Sequence, residues 1–230
     1  MKKISLFIFI SISSLNAFSQ IDKGVFLFSA NGNYSKTNTE NGVSTNLNQT
    51  NGQYLSIGIF AEYFIMKNIV GGVGLDYNWN KEIRLNHLNF NNFYQTENMD
   101  LKSHILMPNI FLGYYYHIID KLYLNTNLKF GYGKYNSHYN TLYAGASYGT
   151  DDELNNVNDE YVRGNESNYK YDYFVAQISP ELTYFFSKRF GVNLGLGGIE
   201  YGMIDWKKDN SSWIVNFNPN YWVLGFKIKI

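Results

Sequence analysis

The sequence predicts an all-β protein: an eight-stranded antiparallel up-and-down transmembrane β-barrel. Three observations point to this fold. Apolar residues alternate with small or polar ones along eight segments of the chain, which is the period of a β-strand. Aromatic residues make up 18% of the sequence and only 3 residues are proline, a composition typical of aromatic strands separated by turns. Short and long connections alternate between the segments, as they do in barrels whose two ends differ.

The first four predicted strands cover approximately residues 24–35, 52–65, 69–80 and 100–116. In YLSIGIFAEYFI (54–65), every second residue from Leu55 to Tyr63 is apolar or aromatic. The segment IVGGVGLDYNWN (69–80) repeats the pattern from Val73 to Trp79, with small and polar residues between. The fourth strand has its apolar face along Leu106–Tyr116. Because successive side chains of a strand point to opposite faces, each of these strands has one apolar face.

The last four predicted strands cover approximately residues 121–135, 169–186, 190–203 and 213–230. Apolar residues alternate along Leu122–Tyr132 in the fifth strand and along Ala176–Phe186 in the sixth. In the seventh they alternate along Val192–Leu196, and after Gly197-Gly198 the apolar face continues at Ile199, Tyr201 and Met203. An extra residue that shifts the alternation in this way predicts a β-bulge.

The connections predict the orientation of the barrel. Short turns at Met66–Asn68, Ile118–Lys121 and Ser187–Arg189 are expected to face the periplasm, together with both mature termini. The longer polar connections are expected to be extracellular loops, and the longest covers roughly Asn136–Asn168. Since the chain ends with the last strand, we expect no further domain after the barrel.

Three prolines lie inside the proposed strands, at Pro108, Pro180 and Pro219. Proline has no N–H to give to a ladder, and a closed barrel has no free edge on which to place it. We therefore expect bulges or local gaps at these positions, especially at Pro219, where the apolar alternation shifts between Phe217 and Trp222. If Pro219 instead ends a loop, the last strand begins near Asn220.

The apolar face is expected to be the outside of the barrel. A soluble lipocalin-like barrel is the alternative, but it would carry lysine and glutamate outside, whereas the polar face here is mostly Gly, Asn and Ser. Aromatic residues also cluster near both ends of the strands, as in barrels that cross two membrane interfaces. The predicted girdles are Tyr63, Tyr114, Tyr116, Tyr184 and Phe186 near the short turns, and Tyr77, Trp79, Tyr132, Tyr201 and Trp213 near the long connections.

Residues 1–19 are predicted to be a secretory signal peptide that precedes a barrel domain at residues 20–230. Lys2 and Lys3 form a basic start, and a short apolar run follows before the small residues of Ala17-Phe18-Ser19. Removal of the two lysines leaves 17 basic residues against 19 acidic ones, from 19 of each in the whole chain. This balance lacks the basic character of nucleic-acid-binding proteins. The absence of cysteine excludes disulfides and thiolate metal sites.

The final segment WVLGFKIKI (222–230) has one wholly apolar face and is expected to close the barrel against KGVFLFSANGNYS (23–35). It is similar to the C-terminal assembly signal of outer-membrane barrels in Gly225, Phe226, Ile228 and Ile230, although it ends on isoleucine where an aromatic residue is usual. Over residues 20–230 the chain resembles the small outer-membrane β-barrel domain family of the OmpA/OmpX type, a porin-like barrel. The resemblance implies an outer-membrane protein inserted into lipid by the barrel-assembly machinery as a monomer, with no shared catalytic residues.

Charged residues on the inward face predict a network that fills the lumen, because an eight-stranded barrel is only wide enough to hold side chains. We expect the glutamates to pair with the C-terminal lysines and the aspartate with Lys129, since these groups lie at similar heights on their strands. The predicted network consists of Glu62, Asp76, Lys129, Glu181, Lys227 and Lys229.

The sequence contains weak signals for other chemistry. Ser103-His104 and Ser137-His138 place a nucleophile beside a base, but neighbours on a strand face opposite sides. The acidic residues of 151–160 lack the ligand spacing of a calcium loop. We therefore expect no enzyme, no cofactor and no metal.

The function predicted from these observations is non-enzymatic: envelope structure, adhesion or surface interaction through the long extracellular loops, with an unidentified extracellular ligand. The first alternative is a narrow channel for a small or apolar solute, and the second is an outer-membrane lipid-modifying enzyme.

Overall fold

The computed structural model describes residues 21–43, 46–90, 93–148, 157–204 and 210–230, so the predicted signal peptide lies outside the described residues. None of the helical turns in these ranges is long and apolar enough to cross a membrane. The strands are β1 (Phe26–Val43), β2 (Asn46–Met66), β3 (Ile69–Phe90), β4 (Phe93–Ile119), β5 (Leu122–Tyr148), β6 (Val157–Phe185), β7 (Phe190–Gly195), β8 (Gly198–Ile204), β9 (Asn210–Asn216) and β10 (Val223–Lys229).

Eight strands form a closed antiparallel ring, which confirms the predicted fold class. Each of β1 to β6 pairs with the next, and β10 completes the ring between β7 and β1. The closing ladder runs from Leu27 opposite Lys229 to Gly32 opposite Leu224. Closure matters because backbone N–H and C=O groups in lipid have no water to bind and must be paired within the protein.

The seventh strand of the barrel is broken into β7 and β8, and both parts pair with β6. Leu194 lies opposite Leu182, and Ile199 lies opposite Ile178. Five steps along β7–β8 therefore match four along β6, so one extra residue is accommodated at the break. Gly197 takes up the irregularity with a φ of 90°, which L side chains rarely adopt. The predicted bulge and the shift of the apolar face are confirmed.

Two of the prolines lie where the ladder is interrupted. Pro180 faces the break between β7 and β8, where its carbonyl accepts a hydrogen bond from the Leu196 N–H at 3.0 Å. The β4–β5 ladder passes from Leu106 opposite Lys134 to Asn109 opposite Gly131 without pairing Pro108. The predicted gaps at these prolines are confirmed.

The third proline separates β9 from β10. Pro219–Tyr221 form a single 3₁₀ turn, and the strand resumes at Val223 rather than near Asn220. Beyond Gly32, β1 loses its pairing with β10, and the Asn33 side-chain amide donates to the Trp222 carbonyl instead. Among the described strands, β9 pairs only with β8, so the barrel wall has a seam between β1 and β9.

The strands extend far beyond their predicted ends. β4 and β5 contain 27 residues each and β6 contains 29, whereas a transmembrane strand needs about 9–11. The prediction of a long loop over Asn136–Asn168 is wrong, because residues 136–148 and 157–168 are paired strands. In these segments polar residues interrupt the apolar and aromatic ones on both faces, so they lack the regular apolar alternation from which strands are recognised.

The outer surface of the barrel is apolar and its inner surface is polar. Outward-facing Ile110 and Phe226 are 61% and 64% exposed, while inward-facing Glu62 and Lys227 are 3% and 2% exposed. A soluble protein buries its apolar side chains and exposes its charges. The reversed arrangement confirms that the apolar face points outward, as a lipid-facing barrel requires.

Candidate functional site

The lumen is filled by apolar side chains at the end that carries the short turns. The Tyr115 ring lies 5.1 Å from the Phe64 ring and 6.1 Å from the Tyr123 ring, centre to centre. Tyr123 in turn lies 5.8 Å from Phe185. We call this cluster the floor; it consists of Ile21, Leu27, Phe64, Val70, Tyr115, Tyr123 and Phe185.

A buried lysine lies between two glutamates on the distal side of the floor, that is, the side away from the short turns. Lys227 Nζ lies 3.0 Å from Glu62 Oε1 and 2.8 Å from Glu181 Oε1. It also donates to the Tyr115 hydroxyl at 2.7 Å, and that hydroxyl donates to Glu62 Oε2 at 2.9 Å. These contacts join four strands that are distant in sequence, so the network ties the barrel together across its lumen.

Two glutamates share the single positive charge of Lys227, and hydrogen bonds from neutral side chains stabilise their remaining negative charge. Glu181 accepts hydrogen bonds from Asn193 Nδ2 at 2.7 Å and from Thr183 Oγ1 at 3.1 Å. Ser29 donates to Glu62 at 2.9 Å. Lys229, which was predicted to pair with a glutamate as Lys227 does, makes no ion pair among the described residues.

A second ion pair lies higher in the lumen. Lys129 Nζ lies 2.9 Å from Asp76 Oδ2, and Asn109 Nδ2 donates to the same oxygen at 2.9 Å. A glycine makes this approach possible: a Cβ on Gly58 would lie 2.7 Å from Asp76 Oδ1 and 2.6 Å from Asn31 Oδ1. The small residues of the inward face therefore provide the space that the charged side chains occupy.

Several members of the two clusters were not singled out from the sequence. They are Ser29, Asn109, Tyr115, Thr183 and Asn193. Each has the inward parity of its strand, which the sequence could have revealed. The inward position of Tyr115 was difficult to predict because Tyr115 lies in a run of three tyrosines, of which Tyr114 and Tyr116 have the outward parity.

A cavity of about 570 Å³ lies on the distal side of the floor. Lys227 and Glu62 line its deep end, and Ile105 and Met107 form part of an apolar wall. At another wall, Tyr173 donates to Glu200 Oε1 at 2.8 Å. The cavity is therefore closed towards the short turns and lined by polar and apolar groups together.

The aromatic residues predicted to form girdles have the outward parity of their strands. Tyr114, Tyr132 and Trp213 are 50%, 46% and 73% exposed. Some of the rings pack on each other: Tyr201 lies 5.0 Å from Trp213, and Phe26 lies 4.7 Å from Tyr63. Exposed aromatic rings near the ends of the apolar belt are suited to the two membrane interfaces, where amphipathic aromatic side chains are favoured.

The C-terminal strand presents its predicted assembly residues on two sides. Phe226, Ile228 and Ile230 point outward and are 64%, 44% and 76% exposed. Gly225 is buried, and a Cβ there would lie 2.6 Å from the Ala30 carbonyl oxygen on β1. The glycine therefore allows β10 and β1 to approach closely at the point of closure.

The serine–histidine pairs are separated by the strand geometry. Ser137 is buried in the barrel, while His138 lies on the other face, 2.8 Å from Asn168 Oδ1 and 3.7 Å from Glu166 Oε1. Ser103 is likewise buried beside an exposed His104. Within the described ranges, no group of three or more His, Asp or Glu residues could hold a metal ion.

The parts of β3 to β6 that extend beyond the apolar belt form a polar wall, here called the distal wall (residues 81–90, 93–104, 134–148 and 157–172). Its inner face is rich in tyrosine. Tyr139 contacts Tyr169 at 5.5 Å in a T-shaped arrangement, and Tyr169 stacks on Tyr171 at 6.0 Å. A ring of this kind offers an apolar face and a polar hydroxyl to a ligand.

Charged side chains accompany these tyrosines on the neighbouring strands. Arg84 pairs with Glu82, and the hydrogen bond between them raises the pKa of the Arg84 guanidinium. Glu97 accepts a hydrogen bond from Asn86 at 2.9 Å and raises the pKa of the Tyr143 hydroxyl by hydrogen bonding. The inner face of the distal wall thus combines aromatic rings with charged and amide groups.

No protein-family model matches the chain, and no curated protein matches it. Among solved structures, the attachment invasion locus protein Ail of Yersinia pestis is 14% identical, with 90% of this chain and 99% of that chain covered and a TM-score of 0.37. Ail in complex with the heparin analogue sucrose octasulfate is 15% identical over the same shares, with a TM-score of 0.32. The translocator domain of the autotransporter NalP from Neisseria meningitidis is 9% identical, with 99% and 94% covered and a TM-score of 0.20.

Because these identities and TM-scores are low, the assignment of the barrel architecture rests on the chain's own geometry. The ring closes through β10 and β1, the apolar belt faces outward, and the lumen holds the charged groups. The chain therefore has the architecture of the small outer-membrane β-barrels of the OmpA/OmpX type.

Proposed function

We propose that the protein is a non-enzymatic surface-interaction protein of the outer membrane, which binds an extracellular partner through the inner face of its distal wall. The observation that carries this proposal is the cluster of tyrosines on paired strands, including Tyr139, Tyr169 and Tyr171. Tyrosine supplies large contact area at a low cost in conformational entropy. A surface held by a continuous β-ladder is also ordered before binding, which lowers the entropy cost of association.

The proposal requires the distal wall to face the outside of the cell, with the short turns and both termini in the periplasm. The difference in length between the two ends supports this orientation. The turns at Lys67–Asn68 and Asp120–Lys121 occupy two residues each, whereas β5 and β6 continue well past the belt. Outer-membrane barrels generally have short periplasmic turns and longer extracellular segments.

The floor argues against the channel alternative. A solute crossing the barrel would have to displace Tyr115 and Phe64, which are both fully buried, and separate Lys227 from its carboxylates. The lipid-modifying alternative has no assembled nucleophile and base at the described serine–histidine pairs. Surface interaction uses the distal wall without changing the floor.

A binding screen with a matched pair of variants tests the proposed function. Cells that display the wild-type barrel are applied to arrays of glycans and extracellular proteins, and captured cells are counted. Tyr139→Ala with Tyr169→Ala should abolish capture on the ligands that retain wild-type cells. Leu142→Ala serves as the control, because Leu142 lies on the same strand but points to the opposite face and is 46% exposed. Equal capture by the double variant and wild type would contradict the proposal.

A further inference from the structure

A carboxylate that makes no ion pair with any described residue lies in the wall of the lumenal cavity. Glu200 is half-buried, accepts a hydrogen bond from Tyr173 at 2.8 Å and makes no ion pair among the described residues. The other acidic groups that line the cavity are each held by a lysine: Glu62 and Glu181 by Lys227, and Asp76 by Lys129.

The lining of the cavity has an excess of negative charge. Its described lining contains four carboxylates and two lysines, and both lysines are already bound. Interactions between charges are stronger in a narrow lumen than in bulk water, because the local dielectric constant is lower. A half-buried carboxylate there is costly unless a cation compensates it, so the cavity is suited to a ligand with a positive charge.

Aromatic and apolar groups lie beside Glu200, and Gln177 lies opposite it on β6. Ile214 lies opposite Glu200 on β9, and Tyr173 contacts it from β6. Tyr54 and Tyr221 also line the cavity. A cation held near tyrosine faces gains from the attraction of the ring quadrupole.

Two glycines allow β6 and its Tyr173 to approach the strand segment beside Glu200 closely. Gly198 and Gly202 flank it at the two adjacent inward positions of β8. A Cβ on Gly202 would lie 2.8 Å from the Tyr173 hydroxyl, so a larger residue would displace the tyrosine that binds Glu200. The Glu200 carboxylate and the Tyr173 ring therefore lie together in the wall of the cavity.

We propose that this cavity binds a small organic monocation, with its ammonium group at Glu200 and its apolar body against Tyr173 and Ile214. This site is independent of the distal wall and of the proposed surface interaction. An organic cation fits better than a bare metal ion, because hard cations are held by several oxygen ligands, and the described groups beside Glu200 supply few: the Tyr173 hydroxyl and the side chain of Gln177, which lies opposite on β6. The Asn216, Tyr221 and Val223 side of the cavity borders the seam, where the barrel wall is interrupted.

Titration with choline tests the proposal. The purified barrel in octyl glucoside is titrated with choline, and binding is measured by calorimetry and by tyrosine fluorescence. The matched control ligand is the uncharged carbon isostere of choline, in which a tert-butyl group replaces trimethylammonium. Choline should bind, and the isostere should bind about tenfold more weakly or not at all, since the charge contributes about that much even at a partly exposed aromatic and anionic site.

Substitution at Glu200 locates the site. Glu200→Gln should weaken choline binding about ten- to hundredfold, because it removes the charge and keeps the shape. Glu166→Gln, at an exposed position on the outer face of β6, is the matched control and should leave choline binding unchanged, while the unfolding midpoint of each variant shows that the barrel is folded. Equal binding of choline and its isostere, no choline binding by the wild type, or unaltered binding by a folded Glu200→Gln barrel would each overturn the proposal.

The same ammonium chemistry can come from a free cation or from a lipid headgroup. Native mass spectrometry of the barrel released from phosphatidylcholine vesicles and from phosphatidylglycerol vesicles separates these sources. Retained phosphatidylcholine that free choline displaces would support a headgroup in the site. Choline binding by a barrel that retains neither lipid would support a free cation.

Discussion

Replacing Lys227 with methionine should strongly destabilise the barrel. Lys227 is 2% exposed and binds Glu62 at 3.0 Å and Glu181 at 2.8 Å. Methionine has a similar length and no charge, so Lys227→Met leaves two carboxylates in a buried cluster without their shared cation. Breaking a buried pair in this way costs about 3–5 kcal/mol, because the remaining charge is neither solvated nor paired.

The change should be measured by guanidinium unfolding of the barrel in detergent micelles, followed by tryptophan fluorescence. With a denaturant slope of about 3 kcal/mol per molar, a loss of that size lowers the unfolding midpoint by roughly 1 molar or more. Lys129→Met should have a smaller effect, since Lys129 is 18% exposed and binds a single carboxylate, Asp76.

Two further variants separate the lost ion pairs from a general effect of the substitution. Lys188→Met, in the exposed turn before β7, should leave the midpoint unchanged because Lys188 makes no ion pair among the described residues. The combination of Lys227→Met with Glu62→Gln and Glu181→Gln should recover much of the loss, since no stranded charge remains. A Lys227→Met barrel with the wild-type midpoint, or a triple variant weaker than Lys227→Met alone, would refute the reasoning.

Three other predictions follow from the barrel. Because the chain has no cysteine, single cysteines can report which end of the barrel faces the outside of the cell. On intact cells a membrane-impermeant maleimide should label Asn140→Cys on the distal wall, and it should label Lys121→Cys only after the outer membrane is opened. The reverse labelling pattern would contradict the proposed orientation. Deleting Lys227–Ile230 should prevent stable insertion, so the heat-resistant folded form should be missing from detergent gels. The deletion removes part of the ladder to β1 and leaves backbone groups unpaired in lipid, at a cost of several kcal/mol each. A truncated barrel that still resists unfolding would count against closure by this strand. Because the floor fills the lumen, the wild-type barrel should show no steady conductance in planar bilayers, and a stable open channel would favour the solute-passage alternative.

The sequence by itself determined which side chains face the lipid and which face the lumen. Alternation with a period of two is a local property, so the inward parity of Glu62, Asp76, Lys129 and Lys227 could be predicted without knowing any strand's neighbour. The shift at Gly197-Gly198 was predictable for the same reason, because an inserted residue changes the local alternation. The closed ring then follows from the need to pair every backbone group in lipid.

The length of the strands was decided by the tertiary structure. From Asn136 to Tyr148 polar residues are mixed with apolar and aromatic ones on both faces of β5, and the regular alternation that marks a strand is absent. The ladder nevertheless continues from Leu122 opposite Tyr184 to Tyr148 opposite Val157, because each pair of a hairpin holds the next pair in register. The tyrosine-lined face therefore became visible only in the folded chain.

The pairing of charges was also decided by the tertiary structure. The sequence places Lys227 and Lys229 on the same face, but Lys227 alone reaches both Glu62 and Glu181. Alternation determines the face of a side chain, whereas its height relative to another strand depends on the stagger of the ring, which is set by every ladder around the barrel. If the register between two strands shifts by two residues, each side chain stays on its face but lies opposite a different residue. The contacts in the lumen therefore could not be predicted from alternation alone.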